Sequence, residues 1–295
     1  MSMFIDSHMH VGSEKLLSSE TVELMKRKGT WEKLKRMMSA EGVIETLDES
    51  GITKGVIFPL TFMPPDGKWQ KMNDMTASYI QQYPDRLIGY GIINPLDVPG
   101  SLKELERCCD ELGFLGIKVH PSMQEFFPNQ NRYFSIYEFC QQKGIPILFH
   151  TGASLASNSD KFSHPILLDD IAVHFPSLSI IMAHAGRPYY QDAGFLMRKH
   201  ANVYGDICAN VGRTGGTYLL EQMLVWLKIY ADGIKKLMFA SDFPIFNPAN
   251  GVNDLKNIYK NAKMPNLDDM LISQEEWELI THLNAEKLII EKRKN

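Results

Sequence analysis

No apolar run in this chain approaches the ~20 residues that a membrane span needs, and the opening MSMFIDSHMH lacks the basic start and apolar core of a secretory signal. We therefore expect a cytoplasmic protein. Cysteine is scarce. The four present, Cys108, Cys109, Cys140 and Cys208, show no CxxC spacing, and the first two fall in a helical pattern. That disfavours disulfides or a zinc knuckle and leaves free thiols, buried or partly buried. Neither sign of charge is in excess: 31 basic against 35 acidic side chains give a formal charge of -4, with no electrostatic footprint for nucleic acid or an anionic membrane. The GxGxxG turn of a dinucleotide-binding sheet is missing as well. What remains is a small-molecule ligand or a protein partner.

Short apolar runs bounded by turn residues are plentiful. Eight read as strands: Phe4 to His8, Gly55 to Leu60, Leu87 to Ile93, Gly116 to His120, Ile145 to His150, Ser179 to His184, Val203 to Cys208 and Leu237 to Ser241. Between them, stretches such as SLKELERCCDEL, YFSIYEFCQQKG and TYLLEQMLVWLKIY place apolar residues three and four apart, as a helix requires. The runs PILF, SIIMA and GVIF are apolar throughout, the mark of parallel strands buried on both faces. Strand and helix alternate along a chain of 295 residues, close to the ~250 of a typical (β/α)8 barrel. We expect one TIM-barrel domain over residues 1–295. Residues 11–53 are too long for one crossover and predict a helical insertion, SSETVELMKRKGTWEKLKRMM followed by AEGVIETLDESG, the first offering a lid. The segment LTFMPPDGKW reads as a second apolar cover or a proline-bounded loop. A closing helix starts at Ser273 with Glu276 placed for a capping box, and its basic end reads as a solvated tail.

Reactive groups of such barrels gather at the C-terminal ends of the strands. The first strand ends in His8-Met9-His10, the fourth in Lys118-Val119-His120, the fifth in His150-Thr151-Gly152, the sixth in His184-Ala185-Gly186-Arg187 and the eighth in Ser241-Asp242. Side chains two apart on a strand share a face, so His8 and His10 can reach one ion. A third imidazole and a carboxylate from other strands would complete a mononuclear site, and His150 and Asp242 are the choices. Taken singly, each histidine is more often a hydrogen-bonded core or surface residue. Their joint placement argues otherwise: five of nine histidines sit at strand ends, while His164, His174, His200 and His282 fall in helices or loops and read as structural. Asp242 as a mere helix cap before FPIF is the weaker alternative.

In this order, DSHMH, GIKVHP, FHTG, AHAG and ASDFP resemble the amidohydrolase superfamily, in particular the amidohydrolase-related branch that includes aminocarboxymuconate semialdehyde decarboxylase. The resemblance covers nearly the whole chain. It implies that His8, His10, His150 and Asp242 hold one divalent metal, zinc ahead of manganese, cobalt or iron, and that His184 is the acid/base histidine. Members with two metals bridge them through a carboxylated lysine on the fourth strand, where Lys118 stands. The branch resembled is mononuclear, which makes Lys118 an unmodified substrate-binding or supporting residue.

Zinc lowers the pKa of bound water to about 7, so the leading expectation is a hydrolase of a small carboxylate-bearing amide, lactone or ester. Asp242 would hold the water and accept its proton, and His184 would polarise the carbonyl or protonate the leaving group. Arg187 is either a two-point clamp for a substrate carboxylate or a surface ion-pair residue. Lys118 and His120 point the same way by alternation and suit an anionic substrate. The alternative is a nonoxidative decarboxylase or hydratase of an unsaturated or aromatic acid on the same metal. A barrel that only binds a ligand ranks last, because the ligand set is complete. A homodimer is the default assembly. Phe58, Asn94, Ser154 and Asn210 lie at or beyond strand ends, as pocket lining or as packing and turn residues.

Overall fold

A computed structural model describes residues 3–16, 22–23, 26–27, 29–60, 69–154, 158–213 and 215–291. Eight strands follow one another around a single sheet in chain order: β1 (Ile5–Val11), β2 (Lys54–Pro59), β3 (Leu87–Ile92), β4 (Gly116–Val119), β5 (Ile147–Phe149), β6 (Ile180–Met182), β7 (Val203–Asp206) and β8 (Leu237–Met238). Every neighbouring pair is parallel. The segment after β8 returns to β1. Ser7 N–H donates to the Phe239 carbonyl at 3.0 Å, Asp242 N–H to that of His8 at 3.0 Å, and His10 N–H to that of Phe243 at 2.7 Å. The fold is a TIM barrel, as expected.

All eight expected strands are present, each ending one to three residues from the expected position, and the shifts in β1, β6 and β8 bear on the residues at their ends. β1 runs on to Val11, because β2 pairs with it as far as Val11 opposite Pro59 and Phe243 pairs with Met9 on its other side. The two histidines of HMH therefore lie inside a strand. β6 stops at Met182, since His184 and Ala185 take left-handed backbones (φ 61° and 45°) in a tight turn over Ala183–Gly186. β8 is only Leu237–Met238, and Ser241 and Asp242 stand in an irregular stretch beyond it.

Ten α-helices of five residues or more among the described residues surround the sheet: α1 (Trp31–Met37), α2 (Ala40–Ser50), α3 (Trp69–Gln82), α4 (Val98–Asp110), α5 (Phe134–Lys143), α6 (Leu168–His174), α7 (Tyr190–Lys199), α8 (Gly216–Trp226), α9 (Pro248–Asn261) and α10 (Gln274–Glu278). None is long and apolar enough to cross a membrane. The core has two layers, as barrel geometry requires. One lies between strands and helices and includes Met9, Val43, Leu47, Leu105 and Phe239. The other fills the barrel with Ile5, Val56, Ile88, Tyr90, Leu148, Ile181 and Met238. Leu288 and Ile289 join this inner layer from the helical turns after α10, each burial contributing roughly 1.5–3 kcal/mol. The C-terminal segment runs from α10 into further helical turns, and the capping box between Ser273 and Glu276 is formed. Its basic end at 292–295 lies outside the described residues, as do parts of the first insertion helix at 17–21, 24–25 and 28 and the proposed cover at 61–68. Of the insertion, α1 and α2 are described; α2 packs Val43 and Leu47 onto the sheet.

Candidate active site

Beyond a register shift between Asp6 and Met9, β1 turns His8 and His10 into the barrel mouth while Met9 faces outward, its sulfur filling the space beside Gly55. At the C-terminal end of the barrel, His8, His10, Lys118, His120, His150, His184, Arg187 and Asp242 line one cavity of about 170 Å³. Every residue that the sequence put forward as a ligand, catalyst or substrate contact reaches this space. The other four histidines do not line it. His164 caps a turn, His174 bonds the Asp170 carbonyl at 2.7 Å, His200 bonds Asp169 at 2.6 Å and His282 bonds Thr281 at 3.0 Å.

Three donors converge tightly. Asp242 Oδ1 lies 3.1 Å from His10 Nε2 and 3.5 Å from His8 Nε2, and the three ligand atoms fall within 4.8 Å of one another. Burial raises the Asp242 carboxyl, but the His10 hydrogen bond and the neighbouring imidazoles of His8 and His184 more than offset it and hold the group below its ordinary value. Burial, reinforced by the charge of Lys118, holds His8 well below its ordinary value, so its imidazole is neutral and able to offer a lone pair. Asp242 itself has φ 65°, the kind of strain that persists where surroundings fix it.

His150 stands apart from this group. Its Nδ1 lies 3.1 Å from His184 Nε2, and its ring stacks on His120 at 3.7 Å and 11°. Its Nε2, by contrast, is buried without a hydrogen-bond partner among the described residues. His120 Nδ1 accepts from Met123 N–H at 3.2 Å, capping a one-turn helix as well as lining the cavity. Burial holds His120 and His150 well below their ordinary values and lowers His184, despite the nearby charges of Asp242 and Asp206. Gly152 locks the two turns together. With φ 84°, a Cβ there would meet the Arg187 carbonyl oxygen at 1.9 Å, the oxygen that accepts Ala153 N–H at 2.8 Å.

Lys118 is fully buried, its Nζ has no hydrogen-bond partner among the described residues, and it sits 5.5 Å over the Phe58 ring. Burial pulls its pKa down to about 8. Arg187 is half-buried, with its Nε lacking a hydrogen-bond partner among the described residues; burial and then the charge of Arg213 lower it. Of the residues left open, Phe58 packs against His8 and His10 at 5.0 and 4.8 Å and Ser154 lines the cavity. Asn94 serves a turn through Leu96 N–H, and Asn210 donates to the His184 carbonyl at 3.0 Å.

Sequence reasoning missed Asp206 and Cys208. Asp206 Oδ2 lies 3.0 Å from His8 Nδ1. Cys208 Sγ lies 3.0 Å from His184 Nδ1 and 2.7 Å from Asp206 Oδ1. Burial, then the charge of Asp206, pushes the Cys208 thiol up, so it remains S–H. The available signal was GDICAN at the end of β7, whose Asp206 and Cys208 stand two apart.

The amidohydrolase family model matches residues 5–289. A γ-resorcylate decarboxylase of Polaromonas sp. is 27% identical over 148 residues, 41% of this chain and 45% of that protein. A 2-keto-4-carboxy-3-hexenedioate hydratase of Sphingobium sp. is 27% identical over 143 residues, 41% of this chain and 42% of that protein. The chain thus spans less than half the length of these curated relatives. Among solved structures, a dihydroxybenzoic acid decarboxylase of Polaromonas sp. with bound manganese and the inhibitor 2-nitroresorcinol superposes with a TM-score of 0.71 at 17% identity, covering 98% of this chain and 97% of that one.

Proposed function

Because the chain belongs to the amidohydrolase family, we propose that it is a divalent-metal-dependent decarboxylase of a small hydroxylated aromatic or unsaturated carboxylic acid. The observation that carries this reading is the juxtaposition, in one cavity, of the His8, His10 and Asp242 donor group with the unpaired buried cation of Lys118. The first suits a metal and the second an anion. The relatives rank decarboxylation and hydration above the hydrolysis that the sequence put first. A cavity of about 170 Å³ is near the roughly 150 Å³ that takes up one benzene molecule, which favours a single-ring or similarly small acid.

The donor set fits a borderline-hard divalent ion: imidazole nitrogens and one carboxylate, with no thiolate aimed at the same point. His8, His10 and Asp242 would hold it, and the partnerless buried Nε2 of His150 is the fourth candidate. Manganese in the solved neighbour makes it the first ion to try ahead of zinc. When bound, such an ion acts as a Lewis acid toward a substrate oxygen.

The chain's own groups do the rest. Lys118 draws in the carboxylate and, with Arg187 and His120, orients it through charge-assisted hydrogen bonds. Asp242, ionised in the free protein, takes the proton of the substrate hydroxyl at a carboxylate oxygen. It then delivers that proton to the carbon bearing the carboxylate. As the new C–H bond forms, the bond to the carboxylate breaks, its electron pair restores the unsaturated system, and CO2 leaves. His184, neutral through burial and held between His150 and Cys208, borders the departing group without adding charge.

The test is release of CO2 from a panel of hydroxylated benzoic and unsaturated acids, γ-resorcylate first, with Mn2+ or Zn2+ supplied. Metal-dependent CO2 release from at least one acid is expected. Ring opening of lactones with no CO2 from any acid would restore the hydrolase reading.

A further inference from the structure

Asp206 lies beneath the cavity, is 0% exposed and is absent from the cavity wall, yet it touches both halves of the site. Its Oδ1 accepts the backbone N–H of His184 at 2.8 Å and that of Cys208 at 3.2 Å. Its Oδ2 faces His8 Nδ1 at 3.0 Å. Backbone amides can only donate, so Oδ1 is committed as an acceptor. His8 has two nitrogens and one proton when neutral; a proton on Nδ1 satisfies Oδ2 and leaves the lone pair on Nε2, the atom that faces Asp242 at 3.5 Å.

We infer that Asp206 is a positioning residue: it fixes His8 in the tautomer that presents Nε2 to a metal, and it simultaneously holds the left-handed turn that carries His184. Asp206, His8 and Cys208 also bring three ligand atoms within 4.8 Å, but the two backbone N–H groups already on Oδ1 make an anchoring role the better account. A carboxylate behind a metal-bound histidine governs ring orientation and basicity, and its loss typically costs about 10–100-fold in metal affinity. The inference rests on the proposed metal site and not on the proposed reaction.

Asp206→Asn is the informative variant, because it keeps shape and changes one atom. With its carbonyl oxygen retained under the two backbone N–H groups, its NH2 meets His8 Nδ1 and can only donate. The His8 proton moves to Nε2 and blocks the metal-facing lone pair. We expect Mn2+ to bind this variant about 10–100-fold more weakly, read as free Mn2+ by electron paramagnetic resonance, with an unchanged melting temperature in chelator. Long-range ¹H–¹⁵N spectra of metal-free wild type should show His8 protonated at Nδ1, the signal assigned by its loss in His8→Gln. Mn2+ affinity within twofold of wild type in a folded Asp206→Asn protein would overturn the inference. So would an Nε2–H tautomer in wild type, a measurement that decides the matter even if the variant does not fold. Neither readout involves CO2, so failure of the proposed reaction leaves this test intact.

Discussion

The side of the cavity built from β1, β7 and the stretch after β8 sets Asp242 against His8 and His10, with Asp206 behind His8, whereas the side built from β4 and β5 offers Lys118, His120 and His150 and no carboxylate. Both walls sit on the same barrel, and both are buried. On the first, histidines and carboxylates satisfy one another at 3.0–3.5 Å. On the second, a lysine ammonium has no hydrogen-bond partner among the described residues. Burying an unpaired cation is unfavourable, so a chain that keeps one at a cavity keeps it for an anion. For the proposed hydroxy acid, the same asymmetry would set the carboxylate toward β4 and the hydroxyl toward β1.

The largest expected break of this contrast is Asp242→Asn, which removes the proton carrier from the acidic wall. Turnover measured as CO2 release should fall about 10²–10⁴-fold, the usual worth of a positioned acid or base. Lys118→Met tests the other wall. A charge-assisted hydrogen bond contributes about 1.5–3 kcal/mol, so the KM for the acid should rise roughly 10–100-fold with a smaller change in kcat. The wild-type kcat/KM should also decline above about pH 8, where Lys118 gives up its proton, and Lys118→Met should lack that limb. The smallest effect concerns stability. Lys118 has its folded pKa depressed to about 8 from an ordinary 10.5, so between those values the unfolded chain binds the extra proton and stability rises with pH. Below pH 8 both states are protonated and the penalty of the buried charge is fully present. Urea denaturation of metal-free protein at pH 7 should therefore find Lys118→Met more stable than wild type by about 1–3 kcal/mol, a gap that narrows toward pH 10.

How much of this could be read from the sequence follows from what each residue serves. The strands were legible because both faces are buried and the runs are apolar throughout, as in PILF and SIIMA. Their ends were less so. Nothing local announces that His184 and Ala185 turn left-handed, or that β8 stops after two residues because the following stretch pairs with β1 instead. The residues facing the cavity were legible because strand ends carry them. Asp206 and Cys208 were not, because they serve the histidines rather than the cavity, and β7 carries no histidine at its end. His150 marks the remaining difference: the sequence places it beside His8 and His10, and the structure leans it on His184 and stacks it on His120.

His10 and Asp242 are 232 positions apart in the chain, and the backbone bonds around them are the ones that join the two ends of the sheet. Bringing such distant segments together carries the loop-closure entropy of nearly the whole polypeptide, and contacts of this span form late in folding. A ligand that binds only the native state adds about 4 kcal/mol at a thousandfold excess over its Kd. An ion held by His8, His10 and Asp242 would apply that energy at the seam where the shortest strand meets the first. It would act as the clasp of the ring, and its uptake during refolding would report when the ring has shut.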